Sequence, residues 1–214
     1  MKQVASLLRQ GAAGMGLALP AAAIDQLTGY LELLVKWNRV YNLTAIRDDA
    51  KLVSHHVLDS LATVSHLPDG NIVDVGSGAG LPGIPIAISC PGRVVTLLDS
   101  NQKKGAFLKQ AIAELGLAST QVVTQRAESY RPSELFKTVI SRAFSDLADY
   151  VKLAGHLCAP DGVMIAMKGL HPDDEIALLP SSWQVEKTLR LEIPQIDASR
   201  HLVFLRPTPI TTPN

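Results

Sequence analysis

The sequence predicts an α/β fold, a three-layer α/β/α sandwich on a mostly parallel sheet of seven strands that ends in an antiparallel C-terminal hairpin. Two patterns support this prediction. A short run of β-branched residues leads into a glycine-rich turn and then a helix, which is how a strand–helix–strand unit begins. Strand and helix patterns then alternate, and only a few residues separate the last two strand-like runs, as in a hairpin. Helical patterns precede the first strand, so we expect N-terminal helices packed on the sheet domain.

The glycine-rich turn lies within residues 71–85, N-I-V-D-V-G-S-G-A-G-L-P-G-I-P. Residues 72–75 are predicted to form a buried strand, because β-branched side chains suit a pleated surface. Gly76, Gly78 and Gly80 follow at alternate positions. The backbone can turn tightly at these glycines, and a ligand can approach without meeting a Cβ atom. The free N–H groups and the positive end of the next helix would face that ligand.

Three interpretations of this turn are open. It can be a plain connection between a strand and a helix. Residues 78–83 also match the dinucleotide pattern G-x-G-x-x-G, although this match starts late because the strand already ends at Val75. The third interpretation, which fits best, is an S-adenosyl-L-methionine site in which an acidic residue precedes alternating glycines. The residues that match it are Asp74, Gly76, Gly78 and Gly80.

Composition limits the other functions of the chain. Its 214 residues suffice for one domain with a sizeable core, and its formal net charge of zero predicts no bulk attraction to nucleic acid. Cys90 and Cys158 lie in apolar surroundings without metal-ligand spacing, which predicts reduced thiols, no metal site and a cytoplasmic protein. No apolar run reaches membrane-spanning length, so no membrane partner is expected. We divide the chain into a helical segment at 1–66, a sheet domain at 67–206 and a flexible tail at 207–214, and we expect a monomer.

Three helices are predicted before the first strand, at 3–16, 20–37 and 48–66, with a turn-forming stretch at 37–44. His56, Asp59 and Ser60 stand at i, i+3 and i+4 on the third helix, so their side chains are expected to meet. One interpretation is a polar network beneath a domain seam. The other is that these residues line a cleft.

Six further strands are predicted after the glycine turn, and they lie at 93–98, 121–124, 138–141, 163–167, 185–193 and 202–206. Ser100 is the predicted N-cap of a helix that ends at Gly116. Asp161-Gly162 predicts a turn before the fifth strand, and residues 173–179 predict a short acidic helix.

Several chemically distinctive residues fall at the carboxyl ends of the parallel strands, the edge where open α/β sheets bind ligands. They are Asp74, Asp99, Ala127-Glu128 and Arg142. Asp99 lies nineteen residues beyond Gly80, where a doubly wound sheet places an acid that accepts hydrogen bonds from ribose hydroxyls. Arg142 can be a surface ion-pair residue, or it can bind a carboxylate or an RNA phosphate.

Taken together, these motifs resemble those of the bacterial 16S ribosomal RNA guanine-N7 methyltransferases, a family also called glucose-inhibited division protein B. The resemblance covers nearly the whole chain. The residues that carry it are 37–38 with 42–44, His56 with 59–60, 74–85, 98–100 with 103–104, 141–143 and 168–169.

The resemblance implies a Rossmann-like class I methyltransferase that uses S-adenosyl-L-methionine. It implies that Gly76 and Leu81 contact this cofactor, that Ala127 and Glu128 flank its adenine, and that Arg142 belongs to the same site. It also implies that the partner is 16S rRNA, the small ribosomal subunit or a precursor of it. The candidate RNA-contacting residues are Lys36, Arg39, Asn42, His56 and Lys168.

Methylation at N7 makes modest demands on the protein, since this nitrogen carries a lone pair and no proton. No general base is required, and catalysis would come mainly from holding the reacting atoms in line. A carboxylate near the purine would stabilise the positive charge that develops there. The candidate catalytic residues are Arg142, Asp59 and Lys168. The alternative functions are a nicotinamide-dependent oxidoreductase and a non-catalytic nucleotide-binding module.

Overall fold

The computed structural model describes residues 2–142, 144 and 146–209, and it confirms the predicted fold class. A seven-stranded sheet has the strand order β3-β2-β1-β4-β5-β7-β6. Neighbouring strands among β1 to β5 pair in parallel, and β7 is antiparallel to both β5 and β6. The strands are β1 Ile72–Val75, β2 Val95–Leu98, β3 Thr120–Val123, β4 Phe136–Ser141, β5 Cys158–Lys168, β6 Trp183–Leu191 and β7 Arg200–Pro207.

Helices cover both faces of this sheet. They are α1 Lys2–Gly14, α2 Ala21–Tyr41, α3 Asp49–Leu52, α4 Asp59–Leu61, α5 Gly83–Ser89, α6 Gln102–Leu115, α7 Leu147–Ala154 and α8 Asp173–Ala177. Side chains alternate along β1, so Ile72 packs in one apolar core and Val73 and Val75 pack in another. The first core contains residues of α1, α2, α5 and α6, and the second contains residues of α7. Both cores exclude water from the central strands β1 and β2, which are fully buried and mostly apolar, whereas the edge strand β3 is only partly buried.

The third predicted helix is interrupted. Residues 48–66 form α3, a π-helical turn at Val53–Leu58, α4 and a 3₁₀ turn at Val64–His66. The π-helical turn changes the direction in which side chains leave the helix, because each such turn contains an extra residue. Spacing rules for a regular α-helix therefore do not apply to His56 and Asp59.

Other predicted boundaries also shift. Helix α2 continues to Tyr41, because the ring of Trp37 packs on Tyr41 at 5.2 Å and on Phe107 at 5.7 Å, and the turn begins at Asn42 with φ 49°. The predicted turn at residues 161–162 falls on an irregularity in the pairing of β5 with β4, where Phe136 pairs with Cys158 but Thr138 pairs with Val163. Residues 161–162 lie inside β5, where a Cβ atom on Gly162 would come within 2.8 Å of the Phe136 carbonyl oxygen.

The cap of α6 is corrected as well. The side chain of Asn101, and not that of Ser100, accepts the N–H groups of Lys103 and Lys104. Gly116 ends this helix at φ 64°, as predicted. Helix α7 was not predicted; the side chain of Asp146 caps it.

The C-terminal end of the sheet reaches further than predicted. Strand β7 includes Pro207, and the N–H of Thr208 donates to the Ser182 carbonyl at 2.8 Å, so both residues lie outside any flexible tail. Residues 210–214 of the predicted tail lie outside the described residues, as does Ala143 of the 141–143 motif. Across residues 2–142, 144 and 146–209, no helix has the length and apolar character needed to cross a membrane.

The N-terminal helices pack in the same apolar core as α5 and α6. Tyr30 of α2 is fully buried, and its hydroxyl donates to the Ala79 carbonyl of the glycine turn at 2.7 Å. A side chain from the first 66 residues therefore holds the backbone of the central turn. The division of the chain at residue 66 stays a prediction.

Replacing Tyr30 with phenylalanine removes this hydrogen bond and leaves the buried Ala79 carbonyl without its donor. We expect the free energy of unfolding to fall by about 1–3 kcal/mol, with an unchanged denaturant m value. Urea unfolding of Tyr30→Phe measures the effect. Tyr41→Phe is the matched control, because Tyr41 is 41% exposed. Equal stability of the two variants would contradict the role assigned to the Tyr30 hydroxyl.

Candidate functional site

Three cavities lie along the edge formed by the carboxyl ends of the parallel strands. The Asp99 cavity, about 310 Å³, includes Gly76, Asp99, Lys104, Ala127, Glu128 and Phe144. The His56 cavity, about 210 Å³, includes Thr44, His56, Gly76, Gly78, Leu81 and Arg142. The Asp59 cavity, about 330 Å³, includes Ile46, His55, Asp59, Arg142, Met167, Lys168, Gly169, Leu191, Arg200 and His201. Gly76 lines the first two and Arg142 lines the last two, so the three cavities form a continuous row.

The glycine turn separates a ligand-facing side from a core-facing side. Gly76, Gly78 and Gly80 all have positive φ angles, of 72°, 58° and 87°. A Cβ atom on Gly78 would make only ordinary contacts, with the Gly76 oxygen at 3.7 Å and Lys104 Nζ at 4.0 Å. A Cβ atom on Gly80 would instead collide with Ile84 and approach Leu108 to 3.0 Å. Gly80, a predicted cofactor residue, thus lets the turn pack on the core and lines none of the three cavities.

Asp99 sits at the end of β2 and holds the glycine turn from the cavity side. Its Oδ2 accepts the N–H of Gly78 at 2.8 Å, and its Oδ1 accepts the N–H of Asn101 at 2.8 Å. A carboxylate has about four lone-pair sites, so these two bonds leave acceptor capacity for ribose hydroxyls. Ala127 and Glu128, on a 3₁₀ turn after β3, line the same cavity. The structure therefore brings these three predicted residues together.

Asp74 lies beneath the turn, fully buried and outside the three cavities. Its Oδ2 accepts the N–H of Gly83 at 2.9 Å, and its Oδ1 has no hydrogen-bond partner among the described residues. Burial raises the pKa of this carboxyl to about 7, against the opposing effect of the Gly83 hydrogen bond. Asp74 was predicted to bind the cofactor; the structure places it at the junction of the turn with α5, which it holds from below.

His56 is a neutral, buried member of its cavity. Its Nε2 lies 2.7 Å from the Thr44 hydroxyl, and its Nδ1 lies 3.1 Å from the His55 carbonyl. The carbonyl can only accept, so Nδ1 carries the proton and Nε2 accepts from Thr44. Burial lowers the pKa of His56 to about 4, and the charge of Arg142 adds to this effect. A neutral imidazole offers no positive charge to RNA, and the contact of His56 with RNA stays a prediction.

The side chains of His56, Asp59 and Ser60, which regular helical spacing would allow to meet, each bond to another group among the described residues. The Ser60 hydroxyl donates to the His56 carbonyl at 2.6 Å. Asp59 accepts from Arg200 Nε at 3.0 Å and from Arg142 Nη1 at 3.4 Å. His56 and Asp59 each line a different cavity and Ser60 lines none of the three, so a ligand-binding cleft formed by these residues stays a prediction.

Arg200 was missed by the sequence analysis. It lies on β7, 141 residues from Asp59, and no local spacing signals that contact. Arg142 reaches the same carboxylate from the end of β4 and also donates to the His55 carbonyl at 3.2 Å. Two guanidinium groups from distant strands thus share one carboxylate whose side chain is only 4% exposed.

The predicted RNA-contacting residues are dispersed. Lys168 lines the Asp59 cavity, where its ammonium group is bonded to Glu175 at 2.6 Å and to the Phe144 carbonyl at 3.2 Å. Lys36 and Arg39 are exposed in a separate groove between α2 and α1, and no residue of that groove lines the three cavities. Asn42 is exposed at the end of α2.

Comparison with solved structures supports the fold. The O-methyltransferase TomG from Streptomyces achromogenes, determined in complex with S-adenosyl-L-methionine, superimposes with a TM-score of 0.55 at 16% identity, over 84% of this chain and 90% of its own. A ribosomal protein L11 methylase from Lactobacillus delbrueckii subsp. bulgaricus gives a TM-score of 0.56 at 15% identity, and the match covers 76% of this chain and 81% of the methylase. At these identities the likeness concerns the fold alone.

Comparison of sequences is more specific. The sequence model of the GidB family, described as rRNA small subunit methyltransferase G, matches residues 23–203. A protein of Nitrosococcus oceani named ribosomal RNA small subunit methyltransferase G is 52% identical over 202 residues, which cover 94% of both chains. A protein of the same name from Chromobacterium violaceum is 53% identical over 197 residues, or 92% of this chain and 94% of its own.

The lowered pKa of His56 has a measurable consequence. Between pH 6.5 and 4 the unfolded imidazole binds a proton that the folded one does not, so stability is lost as the pH falls through this range. We expect the stability difference between the wild type and His56→Gln to fall by about 3 kcal/mol over that interval. Asp74, with its raised pKa, makes the free energy of unfolding change with pH in the opposite direction between about pH 4 and 7. The pH dependence of wild-type stability therefore combines both groups, and the difference from His56→Gln is needed to obtain the contribution of His56. A difference that stays constant with pH would contradict the buried neutral imidazole.

Proposed function

The chain belongs to the rRNA small subunit methyltransferase G family, and from that membership we propose that it methylates N7 of one guanine in 16S ribosomal RNA, with S-adenosyl-L-methionine as methyl donor. The observation that carries this proposal is the continuous row of three cavities at the carboxyl edge of the sheet. Two of the cavities meet at Gly76, and the third adjoins them at Arg142. Such a row can hold a nucleoside-containing cofactor beside a second ligand.

The described residues fit S-adenosyl-L-methionine. In the Asp99 cavity, Asp99 would accept hydrogen bonds from the ribose hydroxyls, and Ala127 and Glu128 would flank the adenine. Gly78 lines the His56 cavity, and because it has no Cβ atom the backbone of the turn can approach a ligand closely there. Leu81 would contact the amino-acid end in the His56 cavity, where Arg142 offers a guanidinium group to a carboxylate. When bound, the cofactor supplies an electrophilic methyl group on a positively charged sulfur.

The protein's own contribution is to hold the reactants and to arrange charge. Guanine N7 has a free lone pair, so no side chain has to remove a proton. Positioning alone can lower a barrier by roughly 7–11 kcal/mol in favourable cases. The neutral state of His56 matters here, because a protonated imidazole would add a second positive charge, beside Arg142, to a cavity that adjoins a sulfonium ion. Asp59 lies in the adjoining cavity, where its carboxylate can stabilise positive charge on the purine.

The substrate class follows from charge and shape. The net charge of zero gives no general attraction to RNA, so binding must depend on local cations and on a folded RNA surface. We propose that the protein acts on 16S rRNA within a structured particle or precursor, as a monomer without a metal cofactor. Cys90 and Cys158 are both free thiols, which is consistent with a cytoplasmic protein.

Replacing Asp99 with alanine tests the cofactor site. We expect affinity for S-adenosyl-L-methionine to fall about ten- to a hundred-fold, because a lost hydrogen bond to a charged group costs about 1.5–3 kcal/mol. Calorimetric titration measures the affinity, and thermal unfolding without cofactor measures the stability that is lost with the bonds to Gly78 and Asn101. Asp48→Ala is the control, since Asp48 accepts the Lys51 N–H at the start of α3 and lies outside the three cavities. Unchanged cofactor affinity in folded Asp99→Ala would contradict the assignment.

The reaction itself is tested with labelled cofactor. The protein is incubated with naked 16S rRNA, with assembled small subunits and with GTP, and N7-methylguanine is mapped by chemical cleavage. We expect one labelled guanine in the ribosomal substrates and none in GTP. Labelled GTP, or scattered labelling of unrelated RNAs, would contradict the proposal. Tight binding of NADH without binding of S-adenosyl-L-methionine would favour an oxidoreductase, and cofactor binding without methyl transfer would favour a binding module.

A further inference from the structure

The lining of the Asp59 cavity contains more cationic side chains than carboxylates. Arg142, Arg200 and Lys168 line it, and Asp59 is its one lining carboxylate. Lys168 is bonded to Glu175, which lies outside the cavity lining. Among the described residues these three cations have two carboxylates within 4.0 Å, Asp59 and Glu175, so Arg142 and Arg200 share the single negative charge of Asp59. A pocket with this balance favours an anionic ligand.

The guanidinium group of Arg200 is held by Asp59 and has N–H donors that the described residues do not use. Its Nε donates to Asp59 at 3.0 Å and its Nη1 donates to the Ser199 carbonyl at 2.9 Å. A guanidinium has five N–H donors, so three are not used in any hydrogen bond to the described residues. The planar fork of this group matches a phosphate, which it can bind through two parallel hydrogen bonds. The bond to Asp59 fixes the plane of the fork and reduces the entropy lost on binding.

The same cavity also offers apolar surface. Ile46, Met167 and Leu191 line it together with the cations. A phosphate needs only the charged groups, whereas a nucleotide presents a phosphate and a flat apolar base face together. The cavity volume of about 330 Å³ lies at the lower end of the range for small-ligand pockets, about 300–1,000 Å³, and so suits a single extruded nucleotide better than a duplex.

We propose that Arg200 binds a backbone phosphate of the RNA beside the target guanine, and that Asp59 positions Arg200 and Arg142 for this contact. This inference rests on the proposed function, since it identifies how the RNA substrate is held next to the cofactor. Arg142 marks the border with the His56 cavity, while Arg200 lines only the Asp59 cavity among the three. The role of Arg200 is therefore toward the RNA and not toward the cofactor.

The test compares RNA binding and methyl transfer by the wild type, Arg200→Gln and Arg200→Lys at several KCl concentrations. The RNA is a 16S rRNA transcript for binding, and both the transcript and assembled small subunits for methyl transfer. For Arg200→Gln we expect Kd and KM for RNA to rise about ten- to a hundred-fold, and the slope of log K against log[KCl] to shrink by about 0.7–0.9, the value for one lost phosphate contact. Affinity for S-adenosyl-L-methionine should not change.

Two further variants separate charge from orientation. Arg200→Lys keeps the charge and should restore the salt slope, but it should restore KM only in part, because one ammonium group cannot reproduce the fork. Asp59→Asn keeps both guanidinium charges, so the slope should persist while KM rises. Arg190→Gln is the matched control: Arg190 is an exposed residue of β6, its register partner on β7 is His201, and it lies outside the cavity. We expect its KM to match the wild type.

The outcomes distinguish the inference from the function. Wild-type protein that methylates RNA, together with Arg200→Gln that has an unchanged KM and salt slope, would overturn the phosphate contact alone. A loss of thermal stability and cofactor affinity in Arg200→Gln with an unchanged slope would show a structural role and would also overturn it. Wild-type protein that transfers no methyl group would overturn the proposed function, and the salt slope of binding would still decide the role of Arg200.

Discussion

The glycine turn between β1 and α5 lines the cavities at the carboxyl edge of the sheet, and hydrogen bonds from its backbone to two carboxylates fix its conformation. Asp99 accepts the Gly78 N–H from the cavity side, and Asp74 accepts the Gly83 N–H from the core side. The two carboxylates have different environments, because Asp74 is fully buried and Asp99 lies at the wall of a cavity. The buried one fixes the backbone, while the other retains free lone pairs for a ligand. The cofactor cavities, and everything that borders them, depend on this arrangement.

The N-terminal helices complete the site as well as the core. Tyr30 donates to the turn at Ala79, and Asn38 accepts the N–H of Thr44, whose hydroxyl in turn donates to His56. These hydrogen bonds link α2 and the π-helical turn to the edge of the sheet. A disturbance of α2 should therefore be felt in the cavities, even though α2 contributes none of the residues that line them. Such coupling is expected when buried polar groups form a connected chain of hydrogen bonds.

Charge is distributed unevenly along the row of cavities. The Asp99 cavity offers the Asp99 carboxylate, the His56 cavity has a neutral imidazole beside the Arg142 guanidinium, and the Asp59 cavity has Arg142, Arg200 and Lys168 with one carboxylate. The arrangement suits a ribose at one end, a sulfonium in the middle and a phosphate at the other end. A chain with no net charge can in this way select a strongly anionic partner through local placement alone.

The sequence by itself determined the strand–turn–helix at 71–85, the alternation of strands and helices, and the positions of Asp99, Ala127 and Glu128 at strand ends, because these features depend on local side-chain patterns and on short spacings. It also placed Asp74 next to the turn, but burial, which decides that this carboxylate faces the core, is a property of the packed molecule. Only the tertiary structure decided that His56 is neutral, that it lies in a π-helical turn that ends just before Asp59, and that Arg200 reaches Asp59 across 141 residues. The desolvation of a group depends on what surrounds it in three dimensions, and contacts between distant strands depend on the order of the strands in the sheet. No short stretch of sequence encodes either the surroundings of a group or the strand order.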